Sequence, residues 1–207
     1  GDIKTPKSQV DNFSIKKVGK ETTLIVESAI NKMSVNVKKN ITITGEKMNK
    51  PTFTLNNGKR PTLTISNADT NKAKINTKAK KSQITLTNST AKSLTINGNN
   101  GKEIINIEND SILTGKAKIN LGKNKDSVLI DGIINSGTID NGKDRSKDRI
   151  VFTPDSLIKK KLRLRNFGEK DQLIFAEEVF KYQSLKDKST RNYLKELGII
   201  VNLMDNS

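Results

Sequence analysis

From Phe13 to about Phe175, apolar residues alternate with Thr, Asn or Lys over runs of three to five positions, and Gly, Asn and Lys interrupt the runs. Alternation of this kind predicts short β-strands with one buried side. The runs come in pairs. Phe53-Thr54-Leu55 precedes Leu63-Thr64-Ile65, Lys74-Ile75-Asn76 precedes Ile84-Thr85-Leu86, and Leu94-Thr95-Ile96 precedes Ile105-Asn106-Ile107. Further on, Ile119-Asn120-Leu121 precedes Val128-Leu129-Ile130, Thr138-Ile139-Asp140 precedes Ile150-Val151-Phe152, and Leu162-Arg163-Leu164 precedes Leu173-Ile174-Phe175. Glu103, Asp126, Asp148 and Asp171 introduce the second strands, at separations of 23, 22 and 23 positions.

Strand, turn, strand and turn in roughly 20 residues make one coil, which cannot bury its apolar face alone. Stacked coils share backbone hydrogen bonds about 4.8 Å apart and line Ile, Leu and Val along a common interior. The pattern predicts an all-β, parallel β-solenoid of about eight two-strand coils, with a small C-terminal α/β cap. An antiparallel sandwich or barrel also spaces strands near ten residues. The very short strands and the recurrence in pairs favour the solenoid. The expected organisation is a lead-in over 1–12, a repeat domain over 13–175 and a capping segment over 176–207.

In that last segment the pattern changes. Ser184 to Leu197 reads as helix, with Leu185, Tyr193, Leu194 and Leu197 on its apolar side and Gly198 as its terminator; Ile199 to Leu203 reads as a final strand. Phe152, Phe167, Phe175, Phe180, Tyr182 and Tyr193 concentrate in this half and suit a capping core better than an aromatic ligand site.

Composition fits a narrow core. Of 207 residues, 32% are hydrophobic and 4% aromatic, with no Trp, and a solenoid needs only a few inward aliphatics per coil. Lys and Arg outnumber Asp and Glu by 38 to 22, for a net charge of +16. The excess is uneven, since residues 51–100 carry eight basic residues and one acid, Asp69. A positive surface attracts nucleic acid or anionic glycans, and Lys59, Arg60, Lys72, Lys74, Lys78, Lys80 and Lys81 are the candidate contacts. The absence of Cys removes disulfides and thiol chemistry, and the absence of His removes the commonest general base. No apolar run is long enough to span a bilayer, and the N-terminal residues lack the apolar stretch of a signal peptide. Gly1 in first place is compatible with a part cut from a larger chain, whose other domains would then be partners.

The turns resemble degenerate versions of the RTX nonapeptide repeat of haemolysin-type β-rolls. Gly122-Lys123-Asn124-Lys125-Asp126-Ser127-Val128 follows that pattern from its second Gly, and the turn from Gly98 to Ile105 follows it with Glu103 in the Asp place. The stretch from Asn141 to Ile150 follows it with extra residues, and Asn166 to Phe175 is similar to the flank closing such rolls. The resemblance, over about residues 98–175, implies calcium between successive turns, with Glu103, Asp126, Asp131, Asp140, Asp144 and Asp148 as carboxylate ligands. It also implies a secreted or cell-surface setting. Most loop glycines are replaced by Lys, Asn or Arg, and the earlier turns lack acids, so a largely calcium-independent roll with no required cofactor is expected.

No nucleophile elbow, phosphate loop, zinc-protease motif or dinucleotide fingerprint occurs, which points away from an enzyme. The expected function is a non-enzymatic structural or interaction module. A polyanion-binding module is the alternative, and a trimeric fibre shaft is a third reading. Thr42/Thr44, Thr52/Thr54, Thr62/Thr64 and Thr85/Thr87 resemble the T-x-T ladders of ice-binding solenoids, but the ladder is not sustained beyond Thr95.

Overall fold

The computed structural model describes residues 1–16, 18, 21–108 and 110–204. They form a parallel β-solenoid of about eight turns. The first ladder stacks Asp2–Lys4, Glu21–Val26, the first halves of Asn40–Leu55 and Thr62–Thr77, then Lys81–Thr87, Lys102–Glu108, Ser127–Ile130, Arg149–Phe152 and Gln172–Phe175. The second stacks Val10–Ile15, Ile30–Val37, the second halves of the same two long strands, then Thr90–Asn97, Ile112–Asn120, Ile133–Asp140, Leu157–Phe167 and Ile199–Leu203. Every one of these pairings is parallel, which excludes the sandwich of antiparallel hairpins. Parallel pairing begins at Asp2, inside the segment expected to be a lead-in.

Two strands are longer than the sequence pattern suggests. Asn40–Leu55 and Thr62–Thr77 each run from one ladder into the other, with register shifts around Gly45 where the chain turns the corner. Gly45 adopts φ +117°, and a Cβ there would collide with the Val26 carbonyl oxygen of the coil below. Glycine allows this backbone conformation and this close approach together.

Inside, one side chain from each apolar alternation stacks on its counterpart in the next coil. Leu24, Ile43, Ile65, Leu86, Ile107, Ile130 and Phe152 are buried along the first ladder, and Val35, Phe53, Ile75, Ile96, Ile119, Ile139 and Leu164 along the second. Ala73 and Ala117 also face inward, in a column that holds Leu94 and Leu162 in other coils. Asparagines stack as well. Asn97 donates to Asn76 Oδ1 (2.9 Å) and accepts from Asn120 Nδ2 (3.3 Å), while Asn49 joins Asn31 and Asn71 in the same way (2.8 and 2.6 Å). Each amide has a donor and an acceptor end, so identical side chains in register satisfy each other. Asn97→Ala is expected to cost about 1 kcal/mol in urea denaturation, because water partly replaces the lost bonds at this half-buried site.

At the C-terminal end, Glu178–Lys181 folds back antiparallel onto Gln172–Phe175. Helices Tyr182–Leu185 and Lys188–Glu196 follow, the second capped by the Asp187 side chain accepting from Thr190 N–H (3.2 Å). Leu185 and Leu194 are buried, Leu197 packs against the core, and Tyr193 stays 48% exposed beside Phe180. Gly198 ends the helical segment at φ +87°, and Ile199–Leu203 completes the second ladder. Phe152 and Phe167 belong to the solenoid interior, so fewer aromatics form the cap than the sequence suggests.

Candidate functional site

The four acids spaced by one coil form a buried column. Glu103, Asp126, Asp148 and Asp171 each precede or open a strand of the first ladder and point inward, at most 4% exposed. Backbone amides hold them. The Glu103 N–H donates to Asp126 Oδ1 (2.7 Å), the Asp126 N–H to Asp148 Oδ1 (2.9 Å) and the Asp148 N–H to Asp171 Oδ1 (2.9 Å). Thr77 Oγ1 donates to Glu103 Oε1 (2.8 Å) at one end. At the other, Gly168 N–H and Asn141 Nδ2 donate to Asp171 Oδ2 (2.7 and 2.8 Å). The carboxyl groups thus take the place of carbonyl acceptors at a corner where the backbone ladder is interrupted.

Burial raises the proton affinity of all four acids. Asp126 is pushed up to about 9 by burial and then by the nearby charges of Glu103 and Asp148, against the lowering effect of its backbone hydrogen bond. Asp148 is pushed up to about 8, again first by burial and then by Asp171 and Asp144. Glu103 Oε2 and Asp126 Oδ2 are buried without a hydrogen-bond partner when both groups are drawn ionised. One proton shared between these neighbouring carboxyls gives each oxygen a partner.

The other acids expected as calcium ligands lie elsewhere. Asp131 pairs with the Thr153 hydroxyl. Asp140 accepts from Gly142 N–H (3.1 Å) and Asn166 Nδ2 (2.6 Å) and faces Arg165 at 4.0 Å. Asp144 accepts from Asn124 N–H (2.8 Å) and from Ser146. Among the described residues, no three acidic side chains gather into a group able to hold a metal ion. Calcium takes six to eight oxygens, whereas the column oxygens accept from N–H donors and the other three acids are dispersed among separate turns. Asp171, Thr77 and Asn141 complete the column and are not among the residues expected from the sequence, although the 23-residue spacing pointed to Asp171.

The basic residues divide between two places. Lys59, Lys80 and Lys81 edge a shallow depression at the turns around Asn57 and Gly58, Arg60 donates to Gln83 Oε1 (3.2 Å), and Lys78 lies nearby in the chain. Lys72 and Lys74 instead project from the outer face of the second ladder. On that face Lys32, Lys50 and Lys72 are stacked in one column, and Lys74, Thr95, Lys118, Thr138 and Arg163 in another. Threonines divide similarly. Thr23, Thr42, Thr64 and Thr85 align on the outer face of the first ladder, where Asn106 ends the column, whereas Thr52 and Thr54 lie on the second.

These features define the class, a parallel β-solenoid repeat protein with a short C-terminal cap. Compared with family models, with curated proteins and with solved structures, the chain finds no match in any of the three.

Proposed function

We propose that the chain is a rigid, non-enzymatic structural and interaction module of a secreted or surface-associated bacterial protein, an RTX-like roll that folds largely without calcium. The observation that supports this most is the disposition of the acids. The turn carboxylates that would serve calcium in an RTX roll either face inward onto backbone N–H groups or are held by neighbouring side chains. The continuous core needs no ion to close it, and eight coils give a rod of about 40 Å. The four buried acids sit under the strands and do not line the turn cavity of about 380 Å³ that Asp144, Arg145, Ser146, Gly168, Glu169, Lys170 and Met204 surround. That arrangement favours a scaffold over a catalyst.

The expected result is circular dichroism and a melting temperature unchanged, within about 2 °C, between EDTA and millimolar calcium, with a monomer mass by light scattering. Unfolding in EDTA overturns the calcium-independent reading, and a trimer mass replaces the module by a fibre shaft.

A polyanion-binding role is the second reading. The second ladder's outer face favours it, since cations recur there in most coils with few acids between them.

A further inference from the structure

We infer that the outer face of the second ladder, where Ile112–Asn120, Ile133–Asp140 and Leu157–Phe167 lie side by side, carries a binding site for the sulfate or phosphate groups of a linear anionic glycan. This rests on the polyanion reading and gives it a place and a chemistry.

The register places six donors on a grid. Lys116 pairs with Ser136 and Ser136 with Lys161; two residues along, Lys118 pairs with Thr138 and Thr138 with Arg163. Neighbouring strands are about 4.8 Å apart, and residues two apart on a strand are about 6.7 Å apart. Four cations therefore stand at the corners of a rectangle of roughly 7 by 10 Å, with two hydroxyls between them. All four corner residues are exposed, and none has an ion-pair partner among the described residues. The side chains border a shallow groove of about 390 Å³ whose floor includes the backbone at Ala117 and Gly137, with the Ala117 methyl turned to the interior.

The four like charges, about 7 to 10 Å apart, repel one another, and this grid contains no carboxylate to offset them. A tetrahedral oxyanion between two corners supplies that compensation, takes charge-assisted hydrogen bonds from Lys and Arg, and accepts from the Ser136 and Thr138 hydroxyls. The one acid on the rim, Asp140, is held by Arg165 and Asn166 and limits the groove on that side. On the other side the donors continue along the axis through Thr95 to Lys74, in the same column as Lys118. A linear polymer lying along the axis meets cation and hydroxyl in alternation.

Two observations favour a glycan over a nucleic acid. The groove has no aromatic side chain on which a base could stack. Its donors also suit tetrahedral ester groups, with no acceptor pattern directed at base edges.

The test uses heparin as the probe, titrated against the whole chain at several salt concentrations. Wild type is expected to bind with affinity that falls steeply with salt. The variant Lys118→Gln, Lys161→Gln, Arg163→Gln is expected to bind at least tenfold more weakly, with a salt slope reduced by roughly two to three. The control Lys59→Gln, Lys80→Gln, Lys81→Gln removes the same charge from the turn depression and is expected to stay within about threefold of wild type. Circular dichroism checks that both variants fold. Equal losses in the two variants mean diffuse attraction and overturn the site; a loss confined to the control moves it to the turns. Tighter binding of single-stranded DNA than of heparin overturns the choice of glycan. No binding by wild type even at low salt removes the polyanion reading itself, whereas binding without dependence on the grid removes only this inference.

Discussion

Phe152→Ala is expected to lose about 3–5 kcal/mol of stability and to uncouple the last coils from the rest of the rod. Phe152 is fully buried, lies in register between Ile130 and Phe175, and meets the Phe175 ring at a centroid distance of 5.7 Å. Truncation leaves a cavity whose walls are backbone ladders on either side, and parallel ladders pinned by hydrogen bonds have little room to collapse. Each coil touches mainly its neighbours, so the defect acts as a break in a one-dimensional stack. Hydrogen exchange should show lost protection over Gln172–Phe175 and the cap, while Asn40–Leu55 and Thr62–Thr77 keep theirs. A uniform change in exchange along the whole chain, or a loss below about 1 kcal/mol, would show that the core is not a stack of separable coils.

The stack itself was legible because inward Ile, Leu and Val recur in pairs at nearly constant spacing. Leu94 to Ile96, Ile105 to Ile107, Val128 to Ile130 and Ile150 to Phe152 all became strands of the expected ladders. The first coils were harder to read. Asp2–Lys4 is short and has a single apolar residue, Ile3, so only its partner strand identifies it. The corner-crossing strands were not anticipated because Gly45 and Asn67, both at positive φ, interrupt the alternation, although pairing continues on either side of them. In the final segment Gly198 and the last strand followed their signals, but the single helix expected from Ser184 to Leu197 is two, Tyr182–Leu185 and Lys188–Glu196, because Asp187 interrupts it as the cap of the second.

The candidate sites were legible only in part, for a physical reason. Sequence marks which residue type recurs, whereas coil register decides which way it points and what it meets. Acids before apolar triplets suggest calcium ligands at the turns, yet each lies two positions before an inward aliphatic, Glu103 before Ile105 and Asp126 before Val128, so the pleat carries it to the same inward side. Glu103, Asp126 and Asp148 therefore had the right period and the opposite environment. The basic grid was hidden for the same reason. Lys118 and Arg163 are 45 positions apart in the chain, and only the two intervening pairings bring them onto one face. Counting charges along the chain drew attention to residues 51–100 instead, where Lys72 and Lys74 share the face but Lys59, Arg60 and Lys81 do not.

The inward acids lead to an expected loss of stability on raising the pH from 5 to 10, opposite in sign to what the overall charge would produce. The folded-state pKa of Asp126 is about 9 and that of Asp148 about 8, with Glu103 and Asp171 also raised. In the unfolded chain such groups lose their protons near pH 4. Between these limits the folded state holds more protons than the unfolded one, so stability must fall as pH rises. The contribution is complete below about pH 4 and is gone once pH has passed through 8 to 9, where ionised carboxylates are forced into a buried column. Surface charge works the other way. The net charge of +16 shrinks toward the isoelectric point near 9.9, which relieves repulsion and by itself would stabilise. A melting temperature that declines between pH 6 and 9 therefore reports the column. The double variant Asp126→Asn, Asp148→Asn separates the two effects. Its amide oxygens still accept from the backbone N–H groups, and the amide at 126 can donate to Glu103 Oε2, but neither new side chain titrates. Its pH dependence should be markedly flatter than wild type, and it should melt higher than wild type at pH 9. A wild-type melting temperature that is level or rising from pH 6 to 9 would mean that these carboxyls ionise within the folded rod at no cost, and that the column is wetter than its 0–4% exposure implies.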